Sequence, residues 1–414
     1  MNEFHSSRPE PFSPSRRELV VAGTMLFGSA FIPKIASAAG TRDPRLVVII
    51  LRGALDGLAA VGPVGDPEYA ALHGSLALRF DGPNAGLPLD GFFALNPGMP
   101  VFAKMYRDNQ AAVVHATATN YRERSHFDGQ DVLESGMPGP GFTESGWLNR
   151  AIAAIPKGER VGRLGGLAIG PATPLVLRGN APVVGWAPEV IPSADDDLAR
   201  RVMDLYRHSD PMLAQVFGEG LQIDKIAARD MGADRRDKGG PGTPAGMRQA
   251  AEGAARLIAA DDGPRVAALA FDGWDTHEGE GGATGRLMQL LGGLDGAFDA
   301  FKTGLGPKWA DTAIIAMTEF GRTAKINGTN GTDHGTGTVA FLAGGAVRGG
   351  RVIADWPGLK EAQLFEKRDL MATTDVRSVV KGLLAGQFGL SPTVLGQSVF
   401  PGTMAVPPFQ GLVV

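Results

Sequence analysis

The chain has 414 residues, 43% of them hydrophobic and 20% charged, which supplies a core for one large α/β domain or two smaller ones and excludes wholesale disorder. A net charge of −4 and a pI near 6.0 give no electrostatic case for binding nucleic acid. There is no cysteine, which excludes disulfides, zinc–thiolate sites and cysteine nucleophiles.

Arg16 and Arg17 precede a largely apolar stretch from Leu19 to Ile32, and Ala36-Ser37-Ala38 has the form of a signal-peptidase site with cleavage before Ala39. Paired arginines ahead of a Gly-containing apolar segment have the form of a bacterial twin-arginine signal. Gly23, Gly28 and Pro33 argue against a retained anchor, because a spanning helix needs about 20 apolar residues. The expected organisation is a signal peptide over 1–38 and one domain over 39–414 with a helical insertion around 190–262. The expected partner at this stage is the twin-arginine translocase, the destination periplasmic or secreted, with no stable membrane span after cleavage.

Arg45–Leu51 is an apolar run of the kind that forms a strand buried on both faces. Asp56 follows it, either as a metal ligand at the strand mouth or as a turn aspartate capping the next helix. Residues 62–100 read as a Gly- and Pro-rich excursion with short elements, and Pro100–Asn109 as a helix. Ala111–Ala116 is a second buried strand. After it, Ser125 stands where a helix can begin, with Asp128 three residues on in a capping-box-like arrangement. A hydroxyl there also faces the positive end of the helix dipole, so Ser125 is a cap, a nucleophile, or both. Arg124 and His126 flank it, and a cap needs neither.

From about 140 to 265 the signal is weaker. Gly165–Gly170 and Pro174–Leu177 read as short strands, Asp195 to about Ala233 as amphipathic helices, Arg235–Gly242 as a polar linker and Met247–Asp261 as a helix. Val266–Phe271 is a third buried strand and leads into Asp272, Asp275 and His277. Carboxylates and an imidazole at a strand end are metal-ligand chemistry, with a polar Asx turn as the alternative. Gly285–Gly304 reads as an amphipathic helix. Thr312–Met317 is a fourth strand that delivers Thr318, Glu319 and Arg322 just past its end, where ligands sit in open α/β sheets. Asp333 and His334 follow among glycines, where backbone can approach a ligand closely. Strands over Val339–Gly345 and Gly349–Ile353 and a helix over Thr374–Phe388 complete the chain.

An Arg-Gly-x-x-Asp-Gly start, Arg-Ser-His-Phe-Asp-x-Gln, Gly-Trp-Asp-Thr-His, Thr-Glu-Phe-Gly-Arg-Thr and Asp-His-Gly behind a twin-arginine signal resemble the DUF1501 family of the alkaline phosphatase and sulfatase superfamily. The resemblance implies a three-layer alkaline phosphatase-like α/β sandwich with a mostly parallel sheet and helices on both faces. It also implies a divalent metal centre of one or two ions, zinc ahead of magnesium, manganese or calcium. Asp56, Asp275, His277, Glu319, Asp333 and His334 are its candidate ligands, with Ser125 as nucleophile, His126 as a further candidate ligand or catalytic group, and Arg124 and Arg322 as clamps on substrate oxygens. The implied activity is hydrolysis of a small phosphate or sulfate ester. The superfamily commonly has Asp-His where this chain has Glu319-Phe320, and Asp275-x-His277 is spaced more closely than the usual pair. These departures leave open an exported binding protein that keeps the scaffold without catalysis. Phosphomutase or phosphoryl-transfer chemistry fits an exported protein less well.

Overall fold

The frame is set by β1 (Arg45–Leu51), which is buried along its whole length. Alternate side chains of a strand point to opposite faces, so Val47, Ile49 and Leu51 enter one apolar cluster and Leu46, Val48 and Ile50 another. Such a strand has to be covered on both sides. The computed structural model describes residues 42–142, 144–156, 165–187, 202–203, 206, 213–215, 217–221 and 242–414. The arginine pair, the cleavage motif, the polar linker up to 241 and most of the helical block expected between 195 and 233 lie outside the described residues. Asp43–Val414 forms one compact unit, and it contains every candidate site residue.

The strands after β1 are β2 (Val61–Gly62), β3 (Leu87–Pro88), β4 (Ala94–Leu95), β5 (Ala111–Ala118), β6 (Gly166–Ile169), β7 (Val183–Trp186), β8 (Val266–Phe271), β9 (Thr312–Met317), β10 (Thr338–Ala343), β11 (Arg351–Ile353) and β12 (Thr374–Asp375). The main sheet runs β11-β5-β10-β9-β1-β8-β6-β7, with β12 beside β5; β2, β4 and β3 make a small antiparallel sheet within the expected excursion. β1 lies parallel to both β8 and β9, pairing Val48 with Ala268 on one side and Ile315 on the other. Among the described strands of the main sheet only β10 runs against its neighbours, antiparallel to β9 and to β5. Two reversals restore the direction, so β1, β5, β8 and β9 all end at the same edge of the sheet, and β10 begins there.

The principal helices are α1 (Gly57–Ala60), α2 (Tyr69–His73), α3 (Pro100–Arg107), α4 (His126–Ser135), α5 (Trp147–Ala154), α6 (Pro244–Ala259), α7 (Arg286–Leu305) and α8 (Val376–Phe388). α3, α6 and α7 cover one face of the sheet through Phe102, Met247, Ile258, Leu291 and Phe298. α5 and α8 cover the other through Trp147, Leu148, Val379 and Leu383. The three layers, with a mostly parallel sheet between, are the architecture that the family resemblance implied. Among the described residues no helix is long and apolar enough to cross a membrane.

Two short elements differ from expectation. Pro174–Leu177 is no strand but a 3₁₀ turn over Leu175–Leu177, which tucks Val176 and Leu177 into the second cluster while the Val176 N–H donates to Glu134. A proline at the entry removes the donor that a ladder needs there. Conversely Val183–Trp186 is a strand that four residues, one of them glycine, were too short to announce.

Candidate metal centre

The strand ends bring the motifs together because they share one edge. β8 delivers Asp275 and His277, β9 delivers Thr318 and Glu319, the loop after β5 delivers Arg124, Ser125 and His126, and the run into β10 carries Asp333 and His334. Two glycines let these segments touch. Gly53 has φ of +121° and its missing Cβ would stand 2.5 Å from the Asp275 nitrogen, while a Cβ on Gly331 would stand 2.3 Å from the His277 carbonyl.

Three imidazoles meet at this edge. His126 Nε2 is 2.9 Å from His334 Nε2, and His277 Nε2 is 3.0 Å from the same atom. Asp275 completes the group: its Oδ1 is 3.1 Å from His277 Nε2 and 3.4 Å from His334 Nε2, and its Oδ2 is 3.4 Å from His126 Nε2. The ligand atoms of His126, Asp275 and His334 all lie within 4.8 Å of one another.

The opposite side of each ring explains the orientation. His126 Nδ1 meets Glu319 Oε1 at 2.8 Å, His334 Nδ1 meets the Arg124 carbonyl at 2.9 Å, and His277 Nδ1 meets Asp333 Oδ1 at 3.3 Å. Carboxylate and carbonyl oxygens only accept, and in His126 and His334 the nearest one lies at Nδ1, so in these neutral rings the proton sits on Nδ1 and the Nε2 lone pair faces inward; His277 stands between two carboxylates, Asp333 at Nδ1 and Asp275 at Nε2. Histidine ligands of metals are held in this way, with the outer nitrogen donating to an oxygen behind it. Nitrogens bound to a tetrahedral zinc at ~2.0–2.1 Å lie about 3.3 Å apart, within a few tenths of the separations here. The donor set therefore fits a divalent ion of borderline softness.

The charges are arranged to match. Burial pushes the Glu319 carboxyl up, but His126, Gln130 and Thr318 hydrogen-bond to it and hold it below the ordinary glutamate range. The same bond from Glu319 is the main cause that pushes His126 up, whereas burial and the charge of His126 push His334 down. Burial raises Asp275 and the Arg322 guanidinium outweighs it, so that its carboxyl stays below the usual range. Arg322 is itself fully buried. It donates to Asp275 Oδ1 at 2.7 Å, to Thr332 Oγ1 at 3.1 Å and to the Thr332 carbonyl at 2.5 Å.

The ten residues singled out in the sequence thus fall into layers. His126, Asp275, His277 and His334 face the centre. Glu319 and Asp333 stand behind it as acceptors for the ring protons; both Glu319 oxygens are occupied, Oε1 by His126 and the Gly53 N–H and Oε2 by Thr318. Asp56 departs from the expected ligand set. Its Oδ1 caps α1 through the Leu58 and Ala59 N–H groups, and its Oδ2 is 3.1 Å from His73 Nε2 on α2. The turn-and-cap alternative describes it. Ser125 is the N-cap of α4, accepting from the Asp128 N–H at 3.5 Å. Arg124 is bound to Asp369 and Glu366, and Arg322 to Asp275, so neither guanidinium is free.

Sequence reading passed over several contributors. Gln130 lay within the Arg-Ser-His-Phe-Asp-x-Gln motif and donates to Glu319 at 3.1 Å. Thr332, beside the Asp333-His334 pair, links Arg322 to Glu280 through a 2.7 Å bond. Asn327, which donates to Asp333, and Asp369 carried no motif.

Fold and site together define a three-layer α/β protein with a histidine-rich candidate metal centre at the carboxyl edge of its sheet. The family model described as "Protein of unknown function (DUF1501)" matches residues 43–399, and the chain belongs to that family. The comparison with curated proteins gives no match. Among solved structures the chain is similar to Ps i-CgsB in complex with k-i-k-neocarrahexaose, at 10% identity and a TM-score of 0.42 over 88% of this chain and 77% of that one. It is also similar to the lipoteichoic acid synthase LtaP from Listeria monocytogenes, at 7% identity and a TM-score of 0.39 over 87% and 76% of the two chains. The alkaline phosphatase from the Antarctic bacterium TAB5 is similar at 12% identity and a TM-score of 0.30, over 74% and 92%. Likenesses this distant carry no functional inference.

Proposed function

We propose that the protein is an exported, metal-dependent hydrolase of phosphate or sulfate esters, with a divalent ion, zinc foremost, held by His126, His277, His334 and Asp275. The observation that carries this is the convergence of three Nε2 atoms around one carboxylate, with an oxygen acceptor behind each ring. When bound, such an ion polarises an ester oxygen and lowers the pKa of an attacking hydroxyl.

The chain's own residues supply the rest. Ser125 is the proposed nucleophile; it stands next to His126 at the positive end of α4, where negative charge on its oxygen is stabilised. Attack of Oγ on phosphorus or sulfur would expel the alcohol and leave a seryl ester for water to release. Glu319 and the Arg124 carbonyl keep His126 and His334 in the liganding tautomer, and Arg322 keeps Asp275 ionised. The twin-arginine signal supports export of the folded protein to the periplasm or beyond.

A second reading is favoured by one observation. Both arginines expected to grip the ester oxygens are committed to carboxylates within the fold. A binding protein whose ion organises a ligand without cleaving it needs no such grip. Metal content together with turnover of aryl phosphates and aryl sulfates separates the two, in wild type and Ser125→Ala. Turnover lost in Ser125→Ala supports the hydrolase and its nucleophile, turnover retained there removes Ser125 from that role, and a metal-loaded wild type without turnover favours the binding protein.

A further inference from the structure

Asp369 is fully buried, far from the motifs in sequence, and its carboxylate joins two arginines. Oδ2 accepts from Arg124 Nε at 2.8 Å, and Oδ1 is 3.0 Å from Arg368 Nε. Both arginines continue to one residue. The Arg124 carbonyl takes the Nδ1 proton of His334, and Arg368 Nη2 donates to the His334 carbonyl. We propose that Asp369 is the positioning residue of His334, fixing the tautomer of its ring through Arg124 and the place of its backbone through Arg368. This role rests on the reading of the site as a metal centre.

The local backbone explains why a distant carboxylate is needed. Arg124 has φ of +59°, a left-handed conformation that a non-glycine residue keeps only where its surroundings enforce it. The side chain is what is enforced: it is held by Asp369 and Glu366 and lies 5.7 Å from the Phe365 ring centroid. With the guanidinium anchored, the Arg124 carbonyl is turned toward His334. Released, the residue can relax, the carbonyl turns away, and the ring loses the acceptor that keeps its proton on Nδ1. The alternative tautomer places that proton on Nε2, the atom that faces His126 and His277, and blocks donation to an ion. Asp369 is also fixed in place by its main chain, which bridges to Thr323, while Thr323 and Asp333 exchange two hydrogen bonds at 2.9 and 3.2 Å. The carboxylate and His334 are therefore built on the same three adjoining segments.

Ring nitrogen spectra of ¹⁵N-labelled, metal-free protein test this without any catalysis, alongside zinc titration. At a pH where the rings are neutral, wild-type His334 is expected to show a single tautomer with its proton on Nδ1. Asp369→Asn keeps the shape and removes the charge; it is expected to give a mixture of tautomers and a zinc affinity lower by ~10–100-fold. Asp369→Glu is expected to restore part of both. A wild-type tautomer pattern and unchanged zinc affinity in Asp369→Asn would overturn the proposal. Should that variant fail to fold, Arg124→Lys and Arg368→Met cut the two links singly: tautomer mixing in Arg124→Lys supports the role, and wild-type spectra and affinity in both overturn it. A wild type with the fixed tautomer that binds no zinc sinks the metal reading instead.

Discussion

The Nε2 atoms of His126 and His334 lie 2.9 Å apart, and in their neutral forms neither ring has a proton to offer the other, because Glu319 and the Arg124 carbonyl take both on the far side. Two lone pairs facing at that distance repel, and either a proton on His126, which Glu319 favours, or a cation between the rings relieves it. A cation between them turns the repulsion into two bonds, and Asp275 supplies the negative charge that such a cation needs.

Glu319 acts through His126, so removing its charge should weaken the centre more than the fold. Glu319→Gln is expected to lower zinc affinity by ~10–100-fold. Glu319→Ala should in addition strip the Gly53 N–H and Gln130 of their acceptor, at about 1–3 kcal/mol of stability. Zinc titration and urea unfolding of both variants read the two effects separately; equal affinities in wild type and Glu319→Gln would contradict the assigned role.

Arg322 is a buried guanidinium whose donors are filled by Asp275 and Thr332. Arg322→Met leaves those acceptors unmatched, and the expected loss is on the order of 3 kcal/mol. Arg322→Lys should recover only part of it, because one ammonium cannot reproduce the fork. Denaturant midpoints at constant m-value measure the difference.

The His277 segment depends on close backbone approach. A methyl at Gly331 would meet the His277 carbonyl at 2.3 Å, with only backbone atoms there to give way. Gly331→Ala is expected to push His277 out of register and to lower zinc affinity several-fold. Wild-type affinity would mean that His277 adds little to the centre.

His115 reports on acid stability away from the centre. It is fully buried; its Nε2 meets the Val61 carbonyl at 2.8 Å and its Nδ1 accepts from the Ala116 N–H at 2.8 Å, a pattern only the neutral ring can satisfy. Burial accordingly pushes it down from 6.5 to about 4. A base with a depressed folded pKa binds fewer protons folded than unfolded, so its contribution is whole above about pH 6.5 and is lost as pH falls toward 4. At about 1.36 kcal/mol per unit the full loss is on the order of 3 kcal/mol. His115→Gln is expected to flatten the fall of stability over that range; an unchanged slope would show that the ring already charges in the folded state.

The apolar strands were the most legible part of the chain. Arg45–Leu51, Val266–Phe271 and Thr312–Met317 have the same bounds in sequence and structure, because a strand buried on both faces is an unbroken apolar run. The end of Val266–Phe271 named Asp275 and His277, while His126 and His334 stood out in their own motifs, after Ala111–Ala116 and among glycines. The layering behind those residues was not legible. A ligand carboxylate and one that orients a ligand are the same residue type at the same strand end, and only the packing of Gly53, Gln130 and Thr318 around Glu319 decides between them. Asp56 was ambiguous for a related reason: its partner His73 lies beyond the next helix, in a stretch with no periodic signal. Asp369 sits in a loop whose link to His334 runs through two arginines, a relation no local pattern encodes.

Whether His126, His277, His334 and Asp275 hold one divalent ion is tested most directly by elemental analysis and zinc titration. The wild type is compared with His126→Ala and His334→Ala, with folding checked by circular dichroism. The wild type is expected to carry tightly bound metal, and each folded variant to lose it. Metal retained undiminished in both variants, or a wild type that takes up no divalent ion, would contradict the proposed centre.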